Sequence, residues 1–317
     1  MKMRAIFLSV LLIMVLAFGF SGSGMADQDD WSAVVKGNND FAFDLYRVTA
    51  SEKGNLFFSP YSVSSALAMT YAGARGETAK QMEKTLHFDL AANKLNPGFA
   101  GLMQKFNAPG KSYQLSVANA LWGQEGTKFY PEFVEITQKY YDAGFKQVDY
   151  KNKTEQARQT INNWVETKTN HKIKELIKPK ILNKLTRLVL TNAIYFKGRW
   201  EFRFKPNSTI KAPFYITNEE KNDIPLMYQL GKFKYAETDE LQILELPYSG
   251  GEVAMDILLP KPKSDLVSLE SRLQSANFQS WLDQISAKQV EVFLPRFKLE
   301  KELMLGDYLK NLGMKDA

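Results

Sequence analysis

Asn55-Leu-Phe-Phe-Ser-Pro-Tyr-Ser62 passes from an apolar, strand-like run straight into a helix start. Ser59 offers a hydroxyl to cap the first turn, and Pro60 takes a position where a missing N–H costs nothing. Val63, Leu67, Thr70 and Tyr71 then fall on one helical face until Gly73, a residue suited to ending a helix. Upstream, residues 31–50 carry Phe41, Leu45 and Val48 at helical spacing. Downstream, Thr78-Ala-Lys-Gln81 has the form of a capping box and predicts a helix that runs through Met82 and Leu86.

Farther out, the two periodicities alternate. Helical spacing covers residues 131–141 and 154–169, the second with Ala157, Ile161, Trp164 and Val165 facing inward. Residues 114–121 alternate as a half-buried strand does, with Leu115, Val117, Asn119 and Leu121 on one side. Residues 185–196 are apolar on both faces, which predicts a central strand covered on each side. Residues 241–248 and 253–259 flank Ser249-Gly-Gly-Glu252 and read as a hairpin whose glycines supply the turn. One more strand is expected over 290–299. The chain then reaches a helix bearing Leu305, Tyr308, Leu309 and Leu312 and closed by Gly313. No linker, composition shift or repeat divides this order, so residues 27–317 read as one α+β domain.

The first 26 residues stand apart. Met1 to Arg4 is short and basic, residues 5–20 are continuously apolar, and small residues follow, with Gly24 and Ala26 at the −3 and −1 positions of a cleavage site. That pattern is a secretory signal peptide, since the apolar run falls short of the roughly 20 residues that span a bilayer. The mature protein is therefore expected to begin near Asp27 and to work outside the cytoplasm, in the periplasm if the cell has one.

Composition narrows the chemistry. Of 317 residues 44% are hydrophobic and 24% charged, too apolar for disorder. The net charge of +6 is mild over such a length and argues against a dedicated nucleic-acid binder. With no cysteine, disulfides, thiolate metal sites and a cysteine nucleophile are excluded, and two histidines leave almost no room for a zinc site. No cofactor is implied.

Enzyme signatures do not survive inspection. Gly110-Lys-Ser112 ends like a phosphate loop, but Lys105 stands where that motif needs glycine. His87 and His171 lack sequence-adjacent partners and read as surface or capping residues. Residues 146–187 carry eleven Lys/Arg against four Asp/Glu. A sulfated glycan could use such a face, although a solvated helix accounts for it as well. Asn152-Lys-Thr154 and Asn207-Ser-Thr209 have the glycan sequon form.

Several blocks, in order, resemble a known family. Asn55 to Ser62, continuing through Ala66-Leu-Ala-Met69 and Gly73-Ala-Arg-Gly-Glu-Thr78, is similar to the serpin segment that leads from a buried strand into the second helix. Thr191-Asn-Ala-Ile-Tyr-Phe-Lys-Gly-Arg-Trp200 resembles the third strand of serpin sheet A and the turn after it. Ile161-Asn-Asn-Trp-Val165, Ile173-Lys-Glu-Leu-Ile177, Leu246-Pro-Tyr248 and Leu294-Pro-Arg-Phe297 match further landmarks, so the likeness runs from about Asn39 to the last residue.

The resemblance implies an α+β serpin fold, with mixed sheets A, B and C surrounded by about eight helices. It also implies an inhibitor of serine, and in some members cysteine, proteases rather than an enzyme. In that family an exposed loop is attacked as substrate, and the cut loop enters sheet A as a new strand before the acyl bond is hydrolysed. Residue by residue, Ser59 and Ser62 match the serines of the shutter under that sheet. Asn192 matches the shutter asparagine, and Trp200 the tryptophan at the breach where the loop first enters. Each also suits a plain structural role as cap, buried amide or core aromatic. The sequence ends at Gly313-Met-Lys-Asp-Ala317, where the family continues into another strand of sheet A, the reactive loop and the last strands of sheets B and C. The expectation is thus a fragment that does not trap a protease alone. No reactive bond or shutter histidine can be named in it, and unpaired strands within it would be open to aggregation. A monomer is expected, as is a target protease for the complete protein; a non-inhibitory serpin with a binding or chaperone role is the alternative.

Overall fold

The computed structural model describes residues 11–13, 28–52, 54–108, 111–216, 220–261, 264–299 and 303–316. After a short strand β1 (Leu11–Ile13) the chain enters α1 (Gln28–Thr49), where Phe41 and Leu45 are fully buried and Arg47 sits in the last turn. A cation there complements the helix dipole. Most of the segment read as a signal peptide lies outside the described residues, including Gly24, Ala26 and the cleavage position.

Helix α2 (Pro60–Gly73) starts where the sequence places it. The Ser59 side chain accepts from the Ser62 N–H at 3.3 Å, and proline opens the first turn. Residues 55–59 are not a strand, because no strand among the described residues runs beside them; Phe58 packs on the core and Phe57 is exposed. Helix α3 (Gly76–Leu86) starts two residues before Thr78, with Arg75 at the N-cap and no side-chain cap bond. The capping-box expectation is corrected here: Thr78 and Gln81 lie inside the helix and instead bind the chain end. Gln81 accepts from the backbone N–H groups of Lys315 and Asp316 at 2.8 and 2.9 Å. Helix α4 (Ala92–Phe106), whose Pro97 obscures it in sequence, buries Leu95, Phe99, Leu102, Met103 and Phe106.

The next elements build a small sheet. Strand β2 (Gln114–Gln124) is followed by α5 (Pro131–Tyr141), β3 (Gly144–Val148), α6 (Thr154–Lys168) and β4 (Leu188–Lys197). The order is β3-β2-β4, with β3 parallel to β2 across the α5 crossover and β4 antiparallel from Gln114↔Lys197 to Gly123↔Leu188. Strand β4 is therefore not central. It pairs on one edge only among the described residues, and β2 holds the middle. Its two apolar faces are explained by cover above and below: Ile194 and Phe196 pack on the main core, and Val189 packs on the cluster around Trp122 and Ile161. Hydropathy reports covered faces, while edge pairing depends on backbone groups that every residue carries.

A turn of 3-10 helix, Pro206–Ser208, leads into β5 (Ile210–Tyr215), the long β6 (Lys221–Glu237), β7 (Leu241–Pro247) and β8 (Ala254–Pro260). β7 and β8 form the expected hairpin, with Gly250 and Gly251 at φ +94° and +69° in the turn. After α7 (Leu266–Ser271) and α8 (Ser275–Leu282) comes β9 (Ser286–Pro295), then α9 (Leu305–Leu312), closed by Gly313 at φ +128°. The strand expected over 290–299 is shifted four residues upstream and stops at Pro295. It joins β6, from Leu226↔Pro295 to Tyr235↔Ser286, and so belongs to the second sheet. That sheet has the order β1-β8-β7-β6-β5, with β9 on the other edge of β6. The main core lies where α1, α2, α4 and α5 meet both sheets.

Candidate functional site

Helix α2 presents serines to the sheet instead of a purely apolar face. Ser64 and Ser65 are buried beside Ala68 and Met69, an arrangement that burial alone disfavours unless the hydroxyls find partners. Ser65 does. Its hydroxyl donates to the Ser62 carbonyl at 3.2 Å and accepts from Asn192 Nδ2, also at 3.2 Å. The same Asn192 amide donates to Asn119 Oδ1 at 2.6 Å, so one side chain joins β4, its neighbour β2 and the helix below. Asn119 continues the network, donating to the Tyr141 carbonyl at 3.3 Å, and the Tyr141 hydroxyl donates to Asn96 Oδ1 at 2.8 Å. Burial pushes the Tyr141 phenol well above its ordinary range, keeping it a neutral donor.

Of the sequence-derived shutter residues, only Asn192 sits in this network. Ser59 caps α2, and the Ser62 hydroxyl is buried without a partner among the described residues. Ser65 and Asn119, which sequence matching did not single out as site residues, supply the contacts. The inward position of Asn119 on an apolar strand face was the available signal, since an amide there needs a buried partner. Asn192 Oδ1 is also buried with no donor among the described residues. The network is therefore complete on the β2 side of Asn192 and open on the other.

Beyond the end of β4 lies an aromatic cluster. Trp200 stacks on Tyr248 with ring centroids 4.4 Å apart and planes 15° from parallel, and Phe196 meets the same tyrosine edge-on at 5.0 Å. Trp200 forms an antiparallel bridge with Tyr248, and its carbonyl accepts from the Ser249 hydroxyl at 3.3 Å. Gly198 allows the close approach: a Cβ there would lie 2.6 Å from the Tyr248 ring. Burial raises the Tyr248 phenol to about 12. Trp200 thus ties the end of the small sheet to the β7–β8 hairpin.

The remaining candidates are structural. Lys111 pairs with Glu252 at 2.6 Å and Ser112 donates to the Ser249 carbonyl, so both serve the hairpin; Gly110 lies outside the described residues. His87 ends α3 in the left-handed conformation at φ +53° and lies 2.8 Å from Asp44. His171 is exposed beside Glu166. In the basic stretch, Arg158 is held between Glu155 and Glu175 and donates to the Ile177 carbonyl at 2.7 Å. Lys146 Nζ sits 5.2 Å from the Trp122 ring. Asn152 and Asn207 are both exposed, the former bound to Asp149. Among the described residues there is no cluster of metal-ligating side chains and no helix long and apolar enough to cross a membrane.

Comparison with known proteins fits this geometry. The family model described as Serpin (serine protease inhibitor) matches residues 36–317. Leukocyte elastase inhibitor of Homo sapiens is 40% identical over 289 residues, covering 88% of this chain and 76% of that protein. Serpin B8 of Homo sapiens is 40% identical over 290 residues, covering 90% and 77%. The structure of ovalbumin from emu (Dromaius novaehollandiae) superimposes with a TM-score of 0.85 at 33% identity, over 90% of this chain and 78% of that one. A loop-inserted, cleaved ovalbumin mutant gives 0.82 at 31%, over 90% and 79%.

Proposed function

Because this chain belongs to the serpin family, whose members include relatives named as protease inhibitors and not enzymes, we propose that it is the body of a secreted, single-use inhibitor of serine proteases. The observation that carries this reading is the pair of openings at β4. Among the described residues the strand has an outer edge without a partner, and at its middle Asn192 Oδ1 is buried without a donor. A cleaved loop entering as a strand beside β4 would satisfy the backbone groups along that edge, and new backbone pairing is the source of the driving force. Ser59, Ser62 and Asn192 then govern how readily the sheet parts, and Trp200 sits where the strand first enters.

In this reading the inserted strand is a cleaved loop, and no residue of the 317 is assigned to it. The match covers 76% of the length of the leukocyte elastase inhibitor. The basic start, apolar run and small residues of Met1 to Ala26 support export. The target is a serine protease, for which an elastase-type enzyme is the first choice by analogy with that relative's name.

The test is to express the gene with whatever codons follow Ala317 and incubate the product with elastase-type and trypsin-type proteases. A covalent inhibitor–protease band that survives SDS supports the reading. Complete proteolysis without such a band favours a non-inhibitory serpin with a binding role.

A further inference from the structure

Between α6 and β4 the apolar residues divide into two sets. Ile177 is buried and Leu182 packs on the cluster around Trp122 and Ile161, whereas their sequence neighbours Leu176 and Ile181 are 42% and 57% exposed, and Leu185 is 79% exposed. Singly such residues are ordinary, but here three fall within a short stretch rich in cations. Residues 168–187 hold six lysines and Arg187, all exposed, against a single carboxylate, Glu175. That carboxylate is already held by Arg158 of α6 at 2.9 Å. Lys180 and Lys184, which directly precede Ile181 and Leu185, form no ion pair among the described residues.

The segment has neither helix nor strand, yet it is pinned. The Asn162 side chain donates to the Ile177 carbonyl and accepts from the Ile177 N–H, both at 2.9 Å. Asn183 and Thr186 close a second turn: the Asn183 N–H donates to the Thr186 hydroxyl at 3.1 Å, and Asn183 Oδ1 accepts from the Leu185 N–H at 2.8 Å. Lys180 stands at φ +70°, a conformation costly for a residue with a side chain. Two fixed turns thus each present a lysine followed by an exposed aliphatic side chain, and little ordering cost remains for whatever they meet.

We propose that residues 168–187 form a docking surface for an anionic phospholipid bilayer. The lysines meet the headgroup charge, and Leu176, Ile181 and Leu185 enter the boundary between headgroups and acyl chains. A sulfated glycan would engage the cations alone and leave the exposed leucines and isoleucine nothing to bury against. The surface lies off the open edge of β4, so the inference does not depend on protease inhibition.

The experiment uses the full 317-residue chain with vesicles of phosphatidylcholine, pure or with 30% phosphatidylserine, and reads binding by flotation. Pure phosphatidylcholine reports what the apolar run of residues 5–20 contributes. The chain has no cysteine, so Ile181→Cys and, as a control on α8, Ser280→Cys each take one environment-sensitive fluorophore. Binding is expected to be at least about tenfold tighter with phosphatidylserine. The pair Lys180→Gln with Lys184→Gln should weaken it roughly thirtyfold, and Ile181→Ser with Leu185→Ser about tenfold, circular dichroism confirming that both double variants fold. The label at position 181 should shift to the blue on binding and the label at 280 should not. No preference for phosphatidylserine, or parent-like binding by both double variants, would overturn the proposal. So would an unshifted label at 181. Loss of binding in the lysine pair alone, matched by loss of retention on heparin resin, would overturn it in favour of a glycan surface.

Discussion

Asn192 Nδ2 lies 2.6 Å from Asn119 Oδ1, and this bond holds the outer strand of the small sheet to its middle strand directly above the serine face of α2. Replacing Asn192 with alanine leaves Asn119 Oδ1 and Ser65 Oγ without their shared donor. A loss of about 1–3 kcal/mol is expected in urea unfolding. In a double-mutant cycle with Asn119→Ala the two losses should not add, since the partners share one bond. Additive losses would place the contribution elsewhere.

The capping role of Ser59 predicts a smaller effect. Ser59→Ala is expected to cost about 1 kcal/mol, and Ser59→Asp should recover most of it, because either oxygen can accept from the first-turn N–H groups. If the aspartate variant is as unstable as the alanine one, Ser59 acts through something other than the cap.

Trp200→Ala removes a ring stacked on Tyr248 and packed near Phe204. The expected cost is about 2–4 kcal/mol, with Trp200→Phe retaining roughly half the stacking benefit. Thermal unfolding followed by near-ultraviolet circular dichroism reads both the loss and the altered aromatic signal.

Gly123 lies beneath a pair of rings, where a Cβ would sit 2.6 Å from Phe129 and 3.0 Å from Phe145. Gly123→Ala is therefore expected to destabilise by about 1–3 kcal/mol through overpacking, despite the better strand propensity of alanine. The double variant Gly123→Ala with Phe129→Leu should recover part of the loss, and its urea midpoint measures how much.

The buried Asp256 makes stability depend on pH. Its ordinary value is 3.8 and the folded value is raised to about 7, so the folded state holds the proton more tightly than the unfolded chain. The favourable contribution is complete below about pH 4, declines as pH rises through about 7, and levels off above it. The total is on the order of 4 kcal/mol. Unfolding midpoints measured between pH 4 and 8 should fall with this slope in the parent chain and stay flatter in Asp256→Asn.

How far the sequence speaks depends on what kind of force places each element. Helix α2 was legible from its Ser59 cap, and α5, α6 and α9 from their period-3.6 faces, since both are local properties. The capping box at Thr78 misled because Gly76 lets the helix begin earlier and Gln81 is claimed by the chain end. The edge position of β4 was not legible, since apolar faces say nothing of which backbone groups are paired. The site was legible in part: Asn192, singled out from the sequence, bonds both Ser65 of the helix and Asn119 of the neighbouring strand. Ser65 was hidden because a serine at that spacing looks like any small residue on a packed face, and only the fold shows which hydroxyl meets the amide.

The central claim is that the small sheet, which has no strand beside the outer edge of β4 among the described residues, takes one up there. Amide hydrogen exchange of β4 (Leu188–Lys197), with and without an added extended peptide of alternating threonine and alanine, tests it most directly. Slower exchange along β4, with a rise in the unfolding temperature, is the predicted result. Unchanged exchange in β4 at saturating peptide, or protection confined to β8, would contradict it.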